Sequence, residues 1–358
     1  MSAFDAARRV LDQAIASRVF PAATIDVGDG DGSIWSGALG TLTFDASSPA
    51  TAIDTPFDLA SLTKPIATTT IAMELVGTGA VQLDARVADF FDDWRGIDRE
   101  GVTVQDLLEH ASGLPARLVD SPPETRREFE HEICATALEY TPRTQSIYSD
   151  LGFILLGFLV ADRGRAPMHV LFDRITARLA DAADAASVEK ADATRLGFGL
   201  PPAVRHLAAP TLPMDADPRR GRTLAGEVHD NYAAALGGVA GHAGLFGTAA
   251  AVGAFARVVL RAARDPFSPE LVALFTTKST VPGSSRALGW DTMLPTSSCG
   301  GRMSPMAFGH VGFTGTSLWI DPARDRYFVL LTNRVCGGGT LDDMRMVRRA
   351  FHDALNEF

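Results

Sequence analysis

The sequence predicts an α/β (α+β) fold in which both chain ends build one domain around an antiparallel sheet, with a helical stretch inserted between them. Three observations predict it. A helix and a strand pair open the chain, helical signals dominate the middle, and a second strand pair followed by a helix closes it. At 358 residues the chain exceeds the usual single core of about 100 to 200 residues. The expected division is 1–60 with 284–358 as the sheet domain and 61–283 as an all-helical one, with a cleft at their interface.

Taking the elements in order, Ala7, Val10, Leu11, Ala14 and Ile15 recur at helical spacing. A strand-like stretch from Ala23 to Gly40 follows, broken by Gly28-Asp29-Gly30-Asp31-Gly32. A calcium loop would need a glutamate twelve residues in, and Gly40 stands there, so the segment reads as a turn. Thr103 and Asp106 form a capping box for a helix through Leu107-Leu108 that stops at Gly113 and Pro115, and a second clear helix spans Leu151 to Ala161. Between Ala233 and Ala256 the chain is Ala- and Gly-rich, too weakly apolar for a membrane span; it reads as a loop leading into a buried helix. Thr316 to Ile320 and Tyr327 to Thr332 flank the turn Asp321-Pro322-Ala323-Arg324-Asp325. The closing helix carries Leu341, Met344, Val347, Phe351 and Leu355 on one face.

Charge narrows the function classes. Thirty-three basic against 43 acidic residues give a net charge of -10, with no basic run to track phosphates, so nucleic acid and anionic membranes are poor partners. Cys134, Cys299 and Cys336 are odd in number and far apart, which argues against a disulfide framework or a clustered metal site and fits a reducing compartment. The start Met1-Ser2-Ala3-Phe4-Asp5 places charge where an export signal needs an apolar core, so a cytoplasmic location is expected.

Three short segments carry chemistry. In Ala60-Ser61-Leu62-Thr63-Lys64-Pro65-Ile66, Pro65 fits only a first helical turn, so a helix begins near Ser61. Residues i and i+3 share a face, which puts the Lys64 amine in reach of the Ser61 hydroxyl; a partly desolvated amine with a lowered pKa could take its proton. Alone, the pair reads equally as a helix cap beside a solvated lysine. Ile147-Tyr148-Ser149-Asp150 stands at the entrance of an apolar helix, where Tyr148 could relay a proton or simply pack as a staple. Gly309-His310-Val311-Gly312-Phe313-Thr314-Gly315-Thr316 heads a strand, and its glycines mark close approach by a ligand or another backbone. The Phe313 and Ser61 N–H groups could form an oxyanion hole, with His310 facing a substrate carboxylate. Glu227-Val228-His229-Asp230-Asn231 and His242 read as a packed turn beside the cleft, with no second catalytic machine.

In this order and at these separations, the three segments resemble the penicillin-recognising serine hydrolases, the group of class C β-lactamases, D-alanyl-D-alanine carboxypeptidases, D-aminopeptidases and related esterases. The resemblance spans nearly the whole chain. Thr103 to Pro115 is similar to the family's stretch between its first two motifs, and Gly238 to Phe246 to a stretch of its serine-hydrolase branch. It implies a β-lactamase/DD-peptidase-like fold, Ser61 as acylated nucleophile, Lys64 as its base partner and Tyr148 as second proton-transfer group. Asp150, His310, Gly312 and Phe313 would then bind substrate.

Two departures bear on substrate. Asp150 stands where the family has Asn, a carboxylate able to pair with Lys64 in place of an amide donor, and Val311 lacks the Thr hydroxyl of the strand motif. The expected activity is cleavage of small esters or D-amino-acid amides and peptides through an acyl-enzyme, with no cofactor or metal. The alternatives are a weak class C-like β-lactamase or DD-carboxypeptidase and, less in keeping with an intact Ser61, Lys64 and Tyr148, a binding protein of the same fold.

Overall fold

The computed structural model describes residues 2–118, 122–182, 196–215, 217–262 and 267–356. Helix α1 (Ala3–Ala16) starts at a capping box between Ser2 and Asp5 and buries Ala7, Leu11 and Ala14. Strands β1 (Ala22–Gly28) and β2 (Ser33–Gly40) pair antiparallel. The turn between them is held by Asp29, whose side chain accepts the Asp31 and Gly32 N–H groups at 2.8 and 3.1 Å, as its sequence suggests.

At the other end of the chain come β6 (Asp291–Thr292), β7 (Phe308–Val311), β8 (Ser317–Asp321) and β9 (Arg326–Thr332). The six strands form one antiparallel sheet in the order β2-β1-β9-β8-β7-β6, so the first hairpin docks on the last through β1 and β9. Alternation along β1 sets the layers. Ile25 and Val27 join a core with α1 and α10 (Leu341–Leu355). On the other face Asp26 meets α8 (Ala249–Arg261), where a Cβ on Gly253 would collide with its carboxylate. The covering helix α8 comes from within the 61–283 stretch. Leu341 departs from the predicted face of α10: it sits in the first turn and is 55% exposed.

The inserted stretch is not all helical. Within it Gly197–Phe198 (β4) and Leu245–Gly247 (β5) pair, and Phe57–Asp58 (β3), from the 1–60 stretch, completes a second antiparallel sheet in the order β3-β5-β4. Two- and three-residue strands are too short to show a period of two, which is why the sequence hides them. The rest is helical, centred on α5 (Asp150–Arg163), buried from Leu151 to Val160. Among the described residues no helix is long and apolar enough to cross a membrane. Cys134, Cys299 and Cys336 are all unpaired.

Gly157 and Gly241 bring α5 against the loop that carries His242. A Cβ on Gly241 would lie 1.9 Å from the Phe153 carbonyl and 2.8 Å from the Gly157 nitrogen. Gly241→Ala should therefore cost about 2 kcal/mol or more by overpacking, measurable as a drop in the urea midpoint; an unchanged midpoint would mean that the contact yields freely.

Candidate active site

The nucleophile turn is built by its neighbours. After β3 the chain makes one 3-10 turn, Ala60–Leu62, widens into a π-helical stretch, Lys64–Thr69, and continues as α2, Thr70–Gly77. Pro65 sits in the first turn, where its missing N–H costs nothing. Ala60 adopts φ +48°, a left-handed conformation that L-residues avoid at a cost of about 1 to 2 kcal/mol. Asp58 offsets it, accepting the Ala60 N–H at 2.8 Å through one carboxylate oxygen and the His229 N–H at 2.6 Å through the other. Burial pushes the Asp58 carboxyl up to about 6.

Around this turn the predicted side chains meet. The Tyr148 hydroxyl donates to Ser61 Oγ at 2.7 Å, while Lys64 Nζ lies 3.1 Å from Ser61 Oγ, 2.5 Å from the Tyr148 oxygen and 2.7 Å from Asp150 Oδ1. Tyr148 directly precedes the α5 N-cap, Ser149, whose side chain accepts the Gly152 N–H. The Thr103–Pro115 segment steadies this entrance: the Pro115 carbonyl accepts from the Ser149 hydroxyl at 2.6 Å, and His110 Nδ1 accepts the Ser149 N–H at 3.1 Å. The His110 ring lies 4.7 Å from that of Tyr148.

The charge state of Lys64 differs from the sequence expectation. Its ammonium is fully buried, which lowers its pKa, yet Asp150 and Tyr148 oppose that and leave the amine above its ordinary value. An adjacent carboxylate decides the sign. Tyr148 is raised, because burial outweighs the nearby Lys64 charge, so the phenol rests protonated.

The turn beside the cleft also differs from its predicted passive role. Asp230 Oδ1 lies 2.8 Å from His242 Nε2, and Arg117 NH1 bridges Asp230 Oδ2 and Asp150 Oδ2 at 2.8 and 2.9 Å. His242 and Asp230 thus continue the charge network behind Lys64. Asp150, Asp230 and His242 bring donor atoms within 4.8 Å of one another, a spacing that suits a metal, but Arg117 and Lys64 already neutralise both carboxylates.

The third segment closes the cleft. A Cβ on Gly312 would lie 2.7 Å from the Leu59 carbonyl, so its glycine serves close approach by the nucleophile turn. The Thr314 and Thr316 hydroxyls donate to the Asp58 and Leu59 carbonyls at 2.8 and 3.0 Å. Phe313 is 45% exposed, stacked on His229 with ring centroids 5.6 Å apart. His310 is buried, its Nδ1 2.8 Å from the Val311 carbonyl, and burial with the Arg286 and Lys64 charges holds its pKa well below the ordinary value. With Nδ1–H donating to the Val311 carbonyl, the neutral ring presents Nε2 as an acceptor, so against a substrate carboxylate it offers neither a charge nor a proton. The cation of this wall is Arg286, 5.3 Å above the Tyr148 ring, which the sequence reading missed because no local pattern marks it.

The family model described as Beta-lactamase matches residues 7–351. Among curated relatives, one named "Putative D-alanyl-D-alanine carboxypeptidase" from Escherichia coli (strain K12) is 30% identical over 319 residues, 78% of this chain and 69% of that protein. A protein of the same name from Salmonella gallinarum is 30% identical over 323 residues, 78% of this chain and 70% of its own. Among solved structures, EstCE1, a hydrolase with promiscuous acyltransferase activity, is similar at a TM-score of 0.77 and 18% identity, covering 99% of this chain and 98% of that one. The class C beta lactamase from Rhodobacter sphaeroides is similar at 0.72 and 19% identity, covering 98% of each.

The Lys64–Asp150 pair predicts a pH-dependent stability. Asp150→Ala should cost about 3 kcal/mol at pH 7, since it leaves a buried ammonium without its carboxylate. Asp150 has a depressed pKa, so its contribution is present above the unfolded value of about 3.9 and is lost as pH falls through the lower folded value. Urea unfolding at pH 7 and pH 3 should show the gap shrinking; an equal gap at both would remove the pair as its source.

Proposed function

The chain belongs to the beta-lactamase family, and on that premise we propose that it hydrolyses small esters or D-amino-acid amides and peptides through an acyl-enzyme on Ser61. The observation that carries the reading is the convergence of Tyr148 and Lys64 on the Ser61 oxygen at 2.7 and 3.1 Å.

In the reactive form Tyr148 has given up its proton to solvent and its phenolate is held by the Lys64 ammonium 2.5 Å away; Ser61 Oγ adds to the substrate carbonyl carbon as its proton passes to that phenolate oxygen, which becomes the neutral phenol. Since Asp150 keeps Lys64 charged, the amine acts here as a fixed cation and the phenol as the carrier. The Ser61 and Phe313 N–H groups receive the oxyanion. Collapse expels the leaving group, which takes the carried proton, and water then attacks the Ser61 ester by the same steps in reverse.

Substrate class follows from what each wall offers. Asp150 is committed to Lys64 and Arg117, and Val311 has no hydroxyl, so contacts for a peptide amide and carboxylate are few. An activated ester needs only the nucleophile and the oxyanion donors. The relatives named carboxypeptidases and the Arg286 charge favour a D-peptide with a free carboxylate as the second reading.

A fluorophosphonate should label Ser61 alone, adding one adduct by intact mass, and Ser61→Ala should abolish both the adduct and ester turnover. A variant that labels as strongly as the parent would place the nucleophile elsewhere. Short-chain p-nitrophenyl esters should turn over faster than a chromogenic cephalosporin. Val311→Thr should raise D-alanyl-peptide turnover relative to ester by about three- to tenfold, one hydrogen bond's worth; a ratio unmoved by the hydroxyl would detach that position from carboxylate binding.

A further inference from the structure

Two arginines lie behind the Gly312–Thr316 turn without any catalytic task in the scheme above. Arg348, on α10, is 5% exposed and donates through NH2 to the Gly312 and Thr316 carbonyls, each at 2.8 Å. Arg334, 7% exposed, donates to the Phe313 carbonyl at 2.6 and 3.2 Å and to the Gly339 carbonyl at 2.9 Å. Among the described residues neither is paired with a carboxylate, and the Arg348 Nε has no partner.

Such an arrangement is costly for folding alone. A buried charge without a counter-ion is unfavourable, and the two guanidiniums also repel each other. Burial pulls both pKa values down, Arg348 to about 9 with Arg334 as the second cause, which still leaves both charged at neutral pH. Neutral donors would satisfy the same carbonyls. Departures of this kind concentrate where function requires them.

Peptide geometry says what they do. In a trans peptide the N–H points opposite to the C=O, so drawing the Gly312 carbonyl toward Arg348 turns the Phe313 N–H away from α10. That N–H donates to no group among the described residues. The turn's other side is strapped to the nucleophile turn by Thr314 and Thr316.

We propose that Arg348, together with Arg334, is a positioning residue of the oxyanion site: the pair fixes the Gly312–Phe313–Thr314 backbone with the Phe313 N–H toward the cleft, and its uncompensated positive charge favours negative charge developing there. This rests on the reading that Ser61 is acylated and that the Phe313 N–H receives the oxyanion. The effect belongs to the transition state and not to ground-state binding.

The test compares Arg348→Met, Arg348→Lys and Arg334→Met with the parent, using p-nitrophenyl ester kinetics and the affinity for phenylboronic acid, whose tetrahedral adduct on a serine places an oxygen in the hole. Arg348→Met should lower kcat roughly 10- to 100-fold, less than or equal to the loss of one oxyanion donor, with KM within about threefold of the parent and boronate affinity falling in parallel. Arg348→Lys, which keeps the charge and donors, should recover most of the rate. If Arg348→Met does not fold, Arg334→Met carries the test, with an expected kcat loss of roughly fivefold at unchanged KM. A kcat within threefold of the parent in Arg348→Met, or within twofold in Arg334→Met where that variant carries the test, or an unchanged boronate affinity, overturns the proposal. Ser61→Ala, run alongside, separates the two readings: if it stays active the acyl-enzyme reading fails, and if it is dead while the arginine variants are unaffected only the positioning role fails.

Discussion

The ammonium of Lys64 has no exposed surface, and much of the site follows from that. A buried amine left alone loses its proton. Here Asp150 stands 2.7 Å away and holds the proton on. A carboxylate so placed is itself largely buried and needs its other oxygen answered, which Arg117 does; Arg117 in turn meets Asp230, and Asp230 meets His242. Two cations and two carboxylates alternate along the path, so no member faces an unbalanced charge. Replacing such an array by apolar groups can be neutral for stability. Its place beside Ser61 points to orientation and charge control as its use.

Each member comes from a different segment, and each also obeys a local rule. Asp150 lies in the first turn of α5, where the helix dipole favours a negative charge. Asp230 is the N-cap of the short helix Asn231–Ala235 and accepts the Ala233 N–H at 2.9 Å with the same oxygen that meets His242. The network therefore fixes where α5, the 229–231 segment and the His242 loop sit relative to the nucleophile turn. Agreement between local and long-range demands of this kind is what a single native arrangement requires.

How much was legible in the sequence follows the same division. Ser61 with Lys64, and Tyr148 before a helix cap, are local patterns, and periodicity placed them on the right turns. The Thr103 capping box, the Asp29 turn and the terminal hairpins were readable for the same reason. Arg117 and Asp230 are 113 positions apart, and neither carries a local mark of the other. The sign of the Lys64 shift is not legible locally, because it depends on how close Asp150 comes, which only the fold sets. By sequence the Gly-rich stretch around His242 reads as a packed turn; its glycines let the loop press on α5 closely enough for His242 to reach Asp230.

The site is assembled along the contact between the six-stranded sheet and the helices around α5. The larger core runs across it, containing Ile320 and Val329 from the sheet together with Leu155 and Phe153 from α5. The nucleophile turn is tied to both sides: the Leu59 N–H donates to the Leu245 carbonyl of β5 at 2.9 Å, while Thr314 and Thr316 reach it from the six-stranded sheet. Gly312 admits the Leu59 carbonyl at a separation that any side chain would forbid. Sliding one half against the other would break these bonds before it opened the cleft, and would part Ser61 from the Phe313 N–H. Charge alternation secures the proton-transfer groups on one side of Ser61, and close backbone contact secures the strand on the other; a shared core makes the two arrangements one rigid unit.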